Sequence, residues 1–200
     1  MIVGDQREVI AFLERPSSYG SGVGRIERID THGAIVFLAG SHAYKLKRAV
    51  RFPYMDFSTL ERRHQVAEAE VTVNRRTAPS LYEGVLPVTR GPGGLALGGS
   101  GEVVEWLVVM RRFEQDSLFD RMASDGRLTA ELILDLAWRV AAFHRAAEQR
   151  PEFGGVGGIA WVLDVNRKGF AEAAAMLDPE ASRTLDRRCV GELDRHADLL

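Results

Sequence analysis

Apolar positions recur with two different periods along the chain, and the change between them divides it. Near the start, Val9, Ile10, Phe12 and Leu13 share one helical face, and Pro16 stops the short helix they predict. Ser17 to Gly24 (SSYGSGVG) reads as a flexible connector. Three runs of strand character follow. RIERID (Arg25 to Asp30) carries Ile26 and Ile29, AIVFLA (Ala34 to Ala39) is short, apolar and buried in type, and HAYKLKR (His42 to Arg48) alternates. In the last, Tyr44 and Leu46 fall on one face and Lys45 and Lys47 on the other. Thr31-His32-Gly33 and Gly40-Ser41 are the turns of an antiparallel meander.

Pro53 to Ser58 reads as a loop, with Ser58 as N-cap and Glu61 at the capping-box spacing. The helix that follows is predicted to run to about Thr77 and to end before Pro79. Its inward stripe is Leu60, Ala67, Val71 and Ala78, with Arg62, Arg63, Gln65 and Arg75 outward. Leu95 to Leu97 is a weak strand between glycines, and Val103 to Met110 (VVEWLVVM) is a strong one of the kind found at a sheet's centre. Beyond Phe113 the period is helical throughout: Ser117 to Ser124, then Thr129 to Ala147 with a stripe of Leu132, Leu136, Val140 and Phe143. After the glycine-rich break FGGVGG (Phe153 to Gly158) come patterns around Lys168 to Leu177 and Pro179 to Leu200. The expected class is α+β, with a five-stranded antiparallel lobe over residues 1–113 and an incomplete helical lobe over 114–200.

Composition narrows the function classes. The 46% hydrophobic share is enough for a buried core. A net charge of -2 argues against nucleic acid as a partner, because such binders carry uncompensated cations. No apolar run approaches the roughly 20 residues of a membrane helix, and the charged N-terminus does not resemble a secretory signal, so a cytoplasmic protein without a membrane partner is expected. The single cysteine, Cys189, excludes an internal disulfide framework and reads as an inert thiol. Histidines 32, 42, 64, 144 and 196 show no metal-ligand spacing.

A sheet with one helix between its third and fourth strands, followed by helices, is the layout of a protein-kinase-like fold. Such a fold needs a lysine on the third strand to reach nucleotide phosphates and an acid on the inserted helix to hold it. Ala43-Tyr44-Lys45 supplies the lysine in an A-x-K setting, with Lys47 as the alternative. Helical geometry selects Glu70 as the acid, because it lies beside the apolar stripe while Glu68 points outward. The bland readings are a solvated edge strand for the lysines and an exposed pair with Arg63 or Asn74 for Glu70.

Three stretches, AYKLKRAVRFPYMDFSTLERRH (43–64), NRRTAPSLYEGVLPV (74–88) and VVEWLVVMRRFEQDSLFDRM (103–122), together resemble the aminoglycoside phosphotransferase-like kinase family. The closer likeness is to the subgroup often fused to a C-terminal P-loop kinase domain. The resemblance implies binding of ATP and Mg2+ between two lobes and phosphoryl transfer to a small-molecule acceptor that the sequence does not name. It places Lys45 on the α- and β-phosphates, Glu70 as its orienting partner, Met110, Arg111, Arg112 and Phe113 as the adenine-binding hinge, and the Thr31-His32-Gly33 turn over the phosphates. Arg112 is also a candidate for reaching a phosphate or substrate beside the hinge. The turn lacks a glycine-rich motif, and GSGVG (20–24) precedes the first strand and reads as a linker. The family's H-G-D catalytic loop and metal-binding Asp have no match. His196-Ala197-Asp198 sits near the end in a helical pattern. The expectation is therefore a fragment that retains nucleotide-positioning residues and is inactive alone, with weak or no nucleotide affinity. The competing expectation is a non-catalytic kinase-like binding or regulatory module.

Overall fold

The structure, a computed structural model, describes residues 1–150 and 152–200. It separates into two compact units, Met1–Phe143 and His144–Leu200. The first is a mixed α+β unit built on an antiparallel sheet.

Helix α1 (Arg7–Leu13) opens the chain and buries Val9 and Leu13. Strands β1 (Glu27–Asp30), β2 (Ala34–Ala39) and β3 (His42–Lys47) form the expected meander. Between α1 and β1 the chain is less free than its composition suggests. Residues Pro16–Tyr19 form a 3-10 turn, and the Tyr19 ring lies 4.8 Å from that of Tyr44.

The segment 53–58, expected as loop, contains a small hairpin of β4 (Arg51–Phe52) and β5 (Met55–Asp56). Ser58 is not the N-cap of the next helix, because its hydroxyl and N–H are both spent on Asp56. Thr59 caps instead, accepting from the Arg62 N–H, and α2 runs over Leu60–Asn74. It stops short of Pro79, and three turns of local backbone bonding carry the chain to the sheet.

That sheet has six strands, in the order β1-β2-β3-β8-β6-β7, where five were expected. The extra strand is β6 (Tyr82–Gly91), followed by β7 (Gly94–Leu97) and β8 (Glu102–Arg111). Gly84 and Pro87 inside β6 obscure its pattern, and the register shifts at Tyr82/Gly84 and again at Val88/Thr89. Just past the Arg90–Glu102 pair, Gly101 leaves no room for a side chain, since a Cβ there would run into the Arg90 carbonyl oxygen. β8 is central, paired with β3 on one side and β6 on the other.

The two faces of the sheet are packed differently. On one, Val9 and Leu13 of α1 join Ile35, Phe37, Leu46, Val88 and Leu107. On the other, Ala67 and Val71 of α2 meet Val108, with Tyr82, Val85 and Met110 around them. The His64 ring stacks on Trp106 at 3.8 Å and extends this second interface.

Arg63 corrects the outward assignment. It is buried and forms a two-pronged ion pair with Glu105, itself 2% exposed, at 3.0 Å from Nε and 2.6 Å from the second nitrogen. Gln6 Nε2 donates to the same carboxylate at 2.8 Å, and the Trp106 N–H donates at 3.2 Å. Arg63 also donates to the Phe57 carbonyl. No buried side-chain nitrogen or oxygen among the described residues lacks a partner.

Beyond β8, a 3-10 turn (Gln115–Ser117) leads to α3 (Phe119–Ser124) and α4 (Ala130–Ala146). The stripe expected to bury α4 stays outside the core, and no α4 residue is buried. In the second unit α5 (Gly155–Glu172) starts inside the glycine run read as a break, and α6 (Pro179–Arg195) is capped by the Asp178 carboxylate. Arg167 and Asp186 pair between these helices at 3.0 Å. His196 lies past the end of α6, paired with Glu192, and Ala197–Leu199 form a 3-10 turn. No helix among the described residues is long and apolar enough to cross a membrane.

Replacing one partner of a buried ion pair strands the other charge, at about 3–5 kcal/mol. Arg63→Ala is therefore expected to lower the urea unfolding midpoint steeply, whereas Arg62→Ala, on the exposed side of α2, leaves it near that of the parent. Equal effects of the two would contradict this assignment.

Candidate functional site

The site lies where β3 faces α2. Strand alternation puts Ala43, Lys45 and Lys47 on the α2 side and Tyr44 and Leu46 on the α1 side. Helix α2 turns Ala67 and Val71 to the sheet, which brings the neighbouring Glu70 over β3. Lys45 Nζ donates to Glu70 Oε1 at 2.8 Å. Lys47 Nζ donates to Glu70 Oε2 and sits 5.4 Å above the centre of the Phe57 ring. The lysines are thus not a solvated face, and Glu70 is not an exposed partner of Arg63 or Asn74. Asn74 instead donates to the Glu70 backbone carbonyl.

Burial pushes the Glu70 carboxyl up, but the hydrogen bonds and charges of the two lysines outweigh it and hold the group below its ordinary value. The Tyr82 hydroxyl, on β6 beyond β8, is raised, first by burial and then by the Glu70 charge. Two cations share one carboxylate, so the cluster carries one surplus positive charge and is chemically suited to an anion.

The sequence holds a signal for Lys47 that alternation alone does not expose. Of 26 basic residues only three, Lys45, Lys47 and Lys168, are lysine. A chain that otherwise uses arginine places two of its three lysines on one carboxylate. Arg63, Glu105 and Gln6, which brace the site from behind, carry no comparable signal, because their link spans three separated segments.

The hinge residues lie at the end of β8. Met110 stands opposite Ala43 and Tyr82 and packs into the α2 cluster. The Arg111 N–H donates to the Leu81 carbonyl at 2.9 Å, and the Arg112 N–H donates to the Ser41 carbonyl at 2.8 Å. Both donors are therefore already spent. The Arg112 side chain pairs with Glu27 at 2.7 Å, which directs it to β1. Arg111 is exposed, 3.7 Å from Glu83, and Glu83 also faces His42 at 3.3 Å. Phe113 is the first residue past the ladder; it is 43% exposed, and its N–H makes no hydrogen bond among the described residues.

The Thr31–Gly33 turn is closed by the Thr31 hydroxyl, which accepts from the Ala34 N–H. The β4–β5 hairpin lies against it. Met55 approaches to 3.0 Å of where a Gly33 Cβ would be, and the His32 ring faces both Phe52 and Tyr54. Gly20 to Gly24 precede β1 without regular structure. Among the described residues no group of three or more His, Cys, Asp or Glu side chains is placed to hold a metal ion.

Against known proteins, the chain is 35% identical over 121 residues to an uncharacterised protein of Mycobacterium bovis and to uncharacterised proteins of two Mycobacterium tuberculosis strains. The match takes in 60% of this chain and 22% of each relative, so the chain spans about a fifth of the length of the curated relatives it matches. No family model matches. No solved structure matches either.

Glu70 supplies a pH test. Its folded-state pKa lies below the ordinary 4.5, so its pairing stabilises the fold fully above that value and is lost as pH falls through the lower, folded one. Glu70→Gln is expected to reduce the urea midpoint at neutral pH, with the gap to the parent protein closing on acidification. A gap independent of pH would show that the ionised carboxylate contributes nothing.

Proposed function

We propose that this chain carries the nucleotide-positioning part of an ATP-dependent small-molecule phosphotransferase, similar to the aminoglycoside phosphotransferase-like kinases. In this reading residues 1–113 are a protein-kinase-like N-terminal lobe, 110–113 its hinge, and 114–200 the first helices of the other lobe. The observation that carries the reading is the 2.8 Å pair between Lys45 on the third strand and Glu70 on the helix inserted after it. A lysine held this way presents a fixed positive charge to phosphate oxygens, and fixed charge is the main thing a protein contributes to phosphoryl transfer.

Further support comes from what lies along β3 on either side of Lys45. Ala43 and Met110, paired across the strands, offer an apolar surface for a flat base, and the Phe113 N–H beyond them is an unused donor. In the other direction the His32 and Gly33 N–H groups make no hydrogen bond among the described residues, which suits an anion at the turn. The Arg111 and Arg112 N–H groups take no part, being bonded within the sheet.

The residues present fit the phosphates but not the magnesium ion, for which no acidic group is assembled among the described residues. The role of this chain's own groups is then to bind and orient. Lys45 pairs with phosphate and Glu70 orients Lys45.

Calorimetric titration with Mg-ATP tests the reading. Weak binding is expected, with Kd of about 0.1–1 mM, and Lys45→Ala is expected to weaken it about tenfold or more. Equal binding by both proteins would remove Lys45 from the site and favour a non-catalytic binding module.

A further inference from the structure

Two lysines on one carboxylate raise the question of which one a ligand can take away. We infer that Lys47 is the positioning lysine, holding Glu70 and helix α2 in place, and that Lys45 is the exchangeable one. The role of Lys45 rests on the nucleotide reading above, whereas that of Lys47 stands on the geometry alone.

The two side chains differ in burial and in attachment. Lys47 is 8% exposed and Lys45 28%, against 11% for Glu70. Glu70 is the one hydrogen-bond partner of the Lys45 ammonium among the described residues. Lys47 is fastened at both ends. Its ammonium holds Glu70 over the Phe57 ring, while its carbonyl accepts from Gln6 Nε2 at 2.9 Å. That same Gln6 nitrogen donates to Glu105 at 2.8 Å, and Glu105 is paired with Arg63. Gln6 Oε1 accepts from the Ala49 N–H at 2.7 Å and fixes the amide's orientation.

These bonds close a ring. Arg63 and Glu70 lie seven residues apart on α2, two helical turns along one side. Glu70 ties the middle of α2 to the Lys47 side chain. Arg63, through Glu105 and Gln6, ties its first turns to the Lys47 backbone. Lys47 stands just past the last paired residues of β3 and β8, Leu46 and Leu107, where the sheet opens enough for Arg63 to reach Glu105.

The charge balance explains why two lysines serve where one would hold Glu70. With a single lysine, moving it onto an anion leaves a part-buried carboxylate unpaired, and that cost opposes ligand binding. With Lys47 in place, Lys45 can leave while Glu70 stays ionised and oriented. Helix α2 then keeps its position in free and liganded protein alike.

Hydrogen exchange measured by mass spectrometry separates the two roles. Lys47→Met is expected to speed exchange of α2 amides 66–74 about tenfold or more while β6 and β8 stay protected, and Lys45→Met to change it by less than about threefold. Lys47→Arg, which keeps the charge, should return α2 to within about threefold of the parent. Equal loosening by Lys45→Met and Lys47→Met, or none by Lys47→Met, overturns the assignment. Mg-ATP affinity should fall about tenfold or more in both methionine variants, although only one of them loosens α2. If the parent binds no Mg-ATP, the phosphotransferase reading fails and the exchange data still decide the role of Lys47. Should Lys47→Met not fold, acetylation of the parent protein decides it. Lys45 and Lys168 should react about tenfold faster than Lys47, and equal rates at Lys45 and Lys47 would overturn the inference.

Discussion

A carboxylate as buried as Glu105 is tolerated only if its lone pairs are filled, and that requirement organises the whole N-terminal unit. Burying an ion without partners costs more than most single interactions return. Glu105 meets the demand with two nitrogens of Arg63, the amide of Gln6 and the N–H of Trp106. These donors come from helix α2, from the residue before α1, and from β8 itself. The two helices pack on opposite faces of the sheet, yet α2 and the residue that precedes α1 both send a side chain to one atom group beyond the last β3–β8 pair. Neither helix can shift without exposing a charge to an apolar interior. Apolar packing alone would hold α2 less firmly, because its buried residues in that contact, Ala67 and Val71, are small.

From this fixed point the geometry of the lysine cluster follows. Arg63 sets the axial position of α2, and the helical repeat then places Glu70 over Lys45 and Lys47 with no further adjustment. The distance from Lys45 to Glu70 is therefore a consequence of the Glu105 node as much as of the two residues themselves. Their surplus positive charge is held in a part-buried setting, where screening by salt is weaker than at the surface. A cluster of this kind attracts an anion to one place, and it does so before the anion arrives.

Much of this was legible in the sequence, and the parts that were not share a cause. Alternation in HAYKLKR put both lysines on one face, and helical spacing chose Glu70 over Glu68; the structure bears both out. The six-residue strands β2 and β3 and the central place of β8 also follow from local pattern. β6 was missed because Gly84 and Pro87 interrupt its alternation, and its pairing is restored by register shifts that no local rule anticipates. Arg63 was misplaced because a charged residue on a helix is exposed by default, and only a buried acid 42 residues away reverses that default. The cap moved from Ser58 to Thr59 for the same reason on a smaller scale, since Asp56 took the hydroxyl. In each case a side chain's location was set by a partner distant in sequence or by a turn's geometry.

The contrast between the two ends of the chain bears on what the molecule can do. Nearly every buried apolar residue lies between Val9 and Val108, while α4 and α5 bury none of theirs and leave Trp138 and Trp161 largely exposed. Rigidity is therefore concentrated around the lysine cluster, where ion pairs and apolar packing act on the same elements. Phosphoryl transfer needs a fixed phosphate, an oriented acceptor and neutralised charge. Under the proposed reading this chain's residues meet the first need, and the matched segment makes up 22% of each mycobacterial relative. A site that is preorganised by buried ion pairs spends little on ordering when a ligand binds, because Glu70 is already ionised and α2 already placed. Its selectivity then comes from the geometry of one exchangeable ammonium group on β3, and that geometry is set by Glu105 on the adjacent strand β8.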